Sequence, residues 1–93
     1  MTEQEIYQAA LEHYGTVRQV DKLIEEMGEL TQALMKFRHG PTVQRSDHIH
    51  EEFVDVMVVM EQIRLTLKAR LLEEWKVNKL ARLEERITKG TKD

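Results

Sequence analysis

The chain has 93 residues, 33% of them charged, with no cysteine and a formal net charge of −3. The missing cysteines exclude a disulfide scaffold and thiolate metal sites, and they fit a reducing compartment. Residues 1–67 carry six Lys/Arg against twelve Asp/Glu and residues 68–93 eight against five, an acidic body with a basic tail that argues against DNA or RNA binding, which needs a coherent positive face.

One proline and four glycines punctuate the chain, and apolar residues recur at helical spacing nearly throughout. The expected fold is therefore all-α: one domain over 1–93, a small helical bundle completed by oligomerisation. The acidic N-terminus has no long apolar run, and no apolar stretch approaches the roughly 20 residues that span a bilayer. A cytoplasmic protein without a membrane partner is expected.

Thr2 and Glu5 have the spacing of a capping box and predict a first helix to about Tyr14, where Gly15 interrupts the pattern. A second helix is expected from Thr16 or Val17 to Arg38, with an apolar stripe of Val17, Val20, Ile24, Met27 and Leu34 widened by Leu23, Leu30 and Phe37. Gly40 and Pro41 end it. Ser46 or Asp47 is the expected N-cap of a third helix carrying Ile49, Phe53, Val56, Met60, Ile63, Leu67 and Leu71. Over 53–60 that helix is apolar on nearly every side, which in so short a chain implies at least a dimer. Whether it continues past Arg70 stays open. The last helical segment is expected from Trp75 to about Thr88, with Lys79, Arg82 and Arg86 on a face apart from its apolar stripe of Val77, Leu80, Leu83 and Ile87. The tail at 90–93 is expected to fray.

Two acidic motifs interrupt the apolar helices. Glu25-Glu26-Met27-Gly28-Glu29 places Glu26 and Glu29 three residues apart, and Glu51-Glu52-Phe53-Val54-Asp55 does the same for Glu52 and Asp55. At about 3.6 residues per turn each pair shares a helix face. Asp55 is the one polar residue between positions 53 and 60. Carboxylates set among apolar residues are costly unless a cation pairs with them. A hard divalent ion with oxygen ligands, Mg²⁺ or alternatively Mn²⁺, suits such a set.

The order Glu26-x-x-Glu29 and then Glu52-x-x-Asp55 resembles the signature of the MazG-like, all-α nucleoside triphosphate pyrophosphohydrolases, a superfamily that includes dimeric dUTPases and phosphoribosyl-ATP pyrophosphohydrolases. Glu-Glu-Met-Gly-Glu-Leu reads like its first motif and Glu-Glu-Phe-Val-Asp-Val-Met like its second. The segment 78–87 looks like the basic C-terminal helix of single-domain members, so the resemblance spans about 15–88. It implies Mg²⁺-dependent cleavage between the α- and β-phosphates of a nucleoside triphosphate, giving a monophosphate and pyrophosphate, in a homodimer or homotetramer. It further implies that Glu26, Glu29, Glu52 and Asp55 are metal ligands and that Glu25 is a further ligand or the base acting on water. Lys79, Arg82 and Arg86 would hold the distal phosphates, and Gln19 would lie near the nucleotide. The segment 39–48 departs from the pattern: it is short and contains nothing that reads as a base-specific pocket.

Blander readings compete with each assignment. The acids are otherwise a solvated face with pairs such as Lys22 to Glu26, worth about 0.3–0.5 kcal/mol each. The tail cations otherwise complement a helix dipole. His48 and His50 are read as surface residues, Trp75 as an interface residue, and Met27, Met35, Met57 and Met60 as core or interface filler. A di-iron carboxylate bundle is a poor fit, since no Glu is followed by His three positions later. The alternative of another class is a non-catalytic helical oligomerisation or regulatory adaptor protein.

Overall fold

A computed structural model describes residues 1–90 as four helices with no strand: α1 (Glu3–Tyr14), α2 (Thr16–His39), α3 (Val43–Arg64) and α4 (Ala69–Thr88). The expected tail at 91–93 lies outside the described residues. Among those residues no helix is long and apolar enough to cross a membrane.

The capping box forms as expected. Glu5 N donates to the Thr2 hydroxyl at 3.1 Å and Thr2 N to Glu5 Oε1 at 2.9 Å. These bonds hold the Glu5 carboxyl below its ordinary range. Tyr7 is the buried anchor of α1, its hydroxyl donating to Glu3 Oε1 at 2.6 Å. That bond, followed by partial burial, raises the phenol's pKa. Gly15, at φ 87°, makes the turn into α2 that residues with a β-carbon rarely adopt.

The third helix starts earlier than the sequence suggests. Thr42, not Ser46 or Asp47, is its N-cap: Arg45 N donates to the Thr42 hydroxyl at 3.1 Å. Threonine is a serviceable N-cap but a weaker signal than Ser46 or Asp47, and the acidic partner that marks a capping box is missing here, which hid the position. The Arg45 guanidinium also donates to the carbonyls of Lys36 at 3.0 Å and Gly40 at 2.7 Å. One side chain thus ties the start of α3 to the end of α2, adding a second donor to the Lys36 carbonyl that Gly40 N already reaches. A connection this short forces α2 and α3 into an antiparallel hairpin, the main packing unit of the chain.

The hairpin seam matches the expected stripes in part: Leu23, Leu30 and Phe37 of α2 and Ile49, Val56 and Ile63 of α3 turn inward, whereas Phe53 and Met60 stay exposed. On α2 the residues turned inward are Gln19, Leu23, Glu26, Leu30, Ala33 and Phe37. On α3 they are Ile49, Glu52, Val56, Val59, Gln62 and Ile63. Alternating steps of three and four are the mark of closely paired helices. The stripe of Val17, Val20, Ile24, Met27 and Leu34 remains exposed. It lies roughly 100° round the helix from the seam, one residue's rotation. The four methionines expected as filler are also exposed.

α3 ends at Arg64, where i→i+3 bonds from Leu65, Thr66 and Leu67 tighten the last turn. Lys68 is extended, and α4 begins at Ala69. The last helix therefore starts before Trp75: α3 does not run past Arg70 but breaks at 65–68, and 71–75 lies inside α4. α4 has no buried residue and does not pack substantially on the hairpin. As a result the radius of gyration is 16.6 Å, against about 12 Å for a compact chain of this length.

Candidate metal centre

The antiparallel register sets Gln19 opposite Gln62, and Glu26 opposite Glu52 and Asp55, at the middle of the hairpin. Glu26, Glu52 and Asp55 each offer one carboxylate oxygen, and these atoms lie within 4.8 Å of one another. Oxygens around a small ion at about 2.1 Å stand some 3–4 Å apart. Slight closure of the three side chains is enough to reach that spacing.

The deepest acids are not the ones the apolar run singled out. Glu26 and Glu52 are 7% and 8% exposed, whereas Asp55 stands at the more open edge of the group. Each buried acid has one oxygen engaged on its own helix. Lys22 Nζ reaches Glu26 Oε1 at 3.0 Å, and His48 Nε2 lies 3.1 Å from Glu52 Oε1. The other oxygen of each, Oε2, is buried with no hydrogen-bond partner. A buried, unpartnered carboxylate oxygen is costly, and a bound cation is one thing that would remove the cost.

Glu29, one turn beyond Glu26, is exposed and does not join the three. It still feels their field: the negative charge of Glu26, then desolvation, then Glu52 and Glu25 raise its carboxyl pKa. Lys22 responds with the opposite charge, its pKa raised by the bond to Glu26 and by Glu25. Glu25 is exposed, 3.7 Å from Lys22 Nζ.

Beside the acids opens a cleft of about 590 Å³, lined by Tyr14, Arg18, Gln19, Lys22, Glu25 and Gln62 among others. Its floor is a buried amide pair: Gln19 Nε2 donates to Gln62 Oε1, and Gln62 Nε2 to the Val58 carbonyl. At its rim the Arg18 guanidinium lies 5.8 Å from the Tyr14 ring centroid. The cleft is the place where the hairpin can take an organic group next to the acids.

Three of the four expected ligands therefore come together, Glu29 borders them, and Gln19 and Glu25 line the adjoining cleft. Lys79, Arg82 and Arg86 are not brought to the site within one chain, because α4 stands away from the hairpin. Lys79 instead sits 5.6 Å from the Trp75 ring centroid. His48 and Gln62 are site residues that sequence reasoning missed. The four-residue step from His48 to Glu52 is a usable signal, as is that from Lys22 to Glu26. Gln62 has none, since pairing of two amides across helices depends on the register. The chain matches no protein-family model, no curated protein and no solved structure.

Proposed function

We propose that this chain is a divalent-cation-dependent nucleoside triphosphate pyrophosphohydrolase of the MazG-like kind, working as a homodimer or homotetramer. The observation that carries the reading is the group formed by Glu26, Glu52 and Asp55, with two buried Oε2 atoms lacking any partner. An all-oxygen set of this charge suits Mg²⁺ or Mn²⁺ with open positions for waters and phosphate oxygens. When bound, such an ion neutralises a triphosphate and acidifies water for in-line attack.

The chain's own residues supply the rest. Glu26, Glu52 and Asp55 hold the cation, and Glu29 adds charge at the edge. Glu25, on the rim of the cleft, accepts the proton of the attacking water or supplies a further ligand. Water oxygen bonds to the α-phosphorus while the bond to the bridging oxygen breaks, so pyrophosphate leaves and a monophosphate remains. The cleft over Gln19 and Gln62 receives the nucleoside.

Assembly completes the reading. The surface is 7665 Å², roughly 2,000 Å² more than the approximately 5,600 Å² of a compact monomer of this mass. Phe53, Val54, Met57, Val58 and Met60 are each at least 40% exposed on α3. Covering that face with a second copy gives Lys79, Arg82 and Arg86 a route to phosphates bound at a neighbour's acids.

The test is pyrophosphate release across ribo-, deoxyribo- and modified nucleoside triphosphates, with and without Mg²⁺. Release from at least one, abolished by Glu52→Gln at unchanged helicity, is expected. The loss should exceed the roughly 10- to 100-fold that follows removal of a mere supporting partner. No release from any of them leaves the adaptor reading, which the exposed apolar faces of α3 and α4 favour.

A further inference from the structure

We propose that His48 is a positioning residue of the metal centre, one that commits Glu52 to the cation. This rests on the metal-binding part of the reading above, not on the hydrolysis. With its proton on Nε2, the imidazole donates to Glu52 Oε1 across 3.1 Å from one turn earlier on α3. A glutamate side chain has three rotatable bonds, and pinning one oxygen removes most of that freedom. The oxygen left over, Oε2, is buried and unpartnered. His48 thus fixes which oxygen is bonded to protein and which is left for an ion.

Distance keeps His48 itself out of the ligand set. The atoms that meet within 4.8 Å come from Glu26, Glu52 and Asp55 alone. The ring supports a ligand from outside, as hydrogen-bonded partners of metal-bound carboxylates do. Lys22 holds Glu26 in the same way at 3.0 Å. Its full positive charge also repels an incoming cation, so its removal has two opposed effects on affinity. An imidazole can donate the same bond without needing a positive charge, which makes His48 the informative position.

The pair does little for the fold. It is an i,i+4 contact whose imidazole is 46% exposed, and such pairs contribute only a few tenths of a kcal/mol to a helix. A structural role and a positioning role therefore predict different results.

The experiment measures Mn²⁺ binding to chelator-stripped protein, following free Mn²⁺ by its electron paramagnetic resonance signal, with thermal unfolding of the metal-free proteins alongside. His48→Ala is expected to weaken Mn²⁺ binding about tenfold, with a metal-free melting midpoint close to the parent's. His48→Gln, which keeps a side-chain N–H donor, is expected to restore most of the affinity. Parent-like Mn²⁺ binding by His48→Ala overturns the proposal and leaves the metal centre intact. Equal weakening in the Ala and Gln variants also overturns it, since ring volume and not the hydrogen bond then matters. A parent that binds no Mn²⁺ overturns the metal centre and this proposal together. Mn²⁺ binding without pyrophosphate release removes only the enzymatic reading.

Discussion

Glu29 reports on the field of the acidic group because it stands at its edge. A carboxyl whose folded pKa is raised stabilises the fold only while protonated. Its contribution is complete below the ordinary value and disappears as pH rises through the raised one. Without metal, Glu29 is therefore a liability near neutral pH. In a chelator at about pH 7 we expect Glu29→Gln to melt above the parent, with the difference shrinking as pH falls towards about 4. Melting curves over that range check it, and a glutamine variant that melts lower at neutral pH removes the repulsion from the account. This frustration was legible in the sequence, where four acids at paired spacings sit among apolar residues. Which acids are deepest was not. Asp55 stands out in a list of valines, yet the seam turns Glu26 and Glu52 inward and leaves Asp55 at the edge, because inward rotation is set by the partner helix.

At the scale of the elements, the hairpin seam is polar in its middle and at its open end, and apolar towards the turn. Gln19 and Gln62 satisfy one another across it. Replacing one amide leaves the other with a buried polar atom unsatisfied, at about 1–3 kcal/mol, whereas replacing both with apolar groups is close to neutral. Gln62→Leu should lose that amount in urea unfolding, and Gln19→Leu with Gln62→Leu should recover most of it. The coupling in this double-mutant cycle is the quantity to read; additive costs would mean that the amides do not pair. Helix existence, the capping box and Gly15 were all readable, since local chemistry decides them. The start of α3 and the break before α4 were not, because Thr42 and Lys68 mark them without strong local signals. Of the expected α2 stripe, Leu23, Leu30 and Phe37 do line the seam, while Val17, Val20, Ile24, Met27 and Leu34 form a second face that stays exposed. Hydrophobicity alone favoured the one that a single chain leaves open.

For the whole molecule, the proposed assembly would account for both the exposed face of α3 and the detached α4. Side chains such as Phe53 at 54% and Trp75 at 61% exposure are normal singly; together they are the surface that the proposed assembly would cover. Standard interfaces bury about 800 Å² from each partner, well within the excess surface. Sedimentation equilibrium should find the parent at least dimeric, and Phe53→Glu with Met57→Glu should yield a monomer of lower helicity. The helicity falls because a lone helix of about 20 residues is marginal in water without packing. An unchanged mass in the double variant would place the interface elsewhere. The exposed apolar run at 53–60 could be anticipated; the arm-like position of α4 could not, because nothing within α4 records what it packs on.

The three-residue connection between α2 and α3 has a kinetic consequence. Contacts close in sequence form early, so the hairpin belongs among fast-folding, low-contact-order units. The chain's single tryptophan, Trp75, lies on α4 and is a natural reporter of that helix's docking. In stopped-flow refolding we expect far-UV ellipticity to recover in a concentration-independent first phase and tryptophan fluorescence in a slower one that quickens with protein concentration. Simultaneous, concentration-independent recovery of both signals would mean that the arm docks as part of the monomer's own collapse.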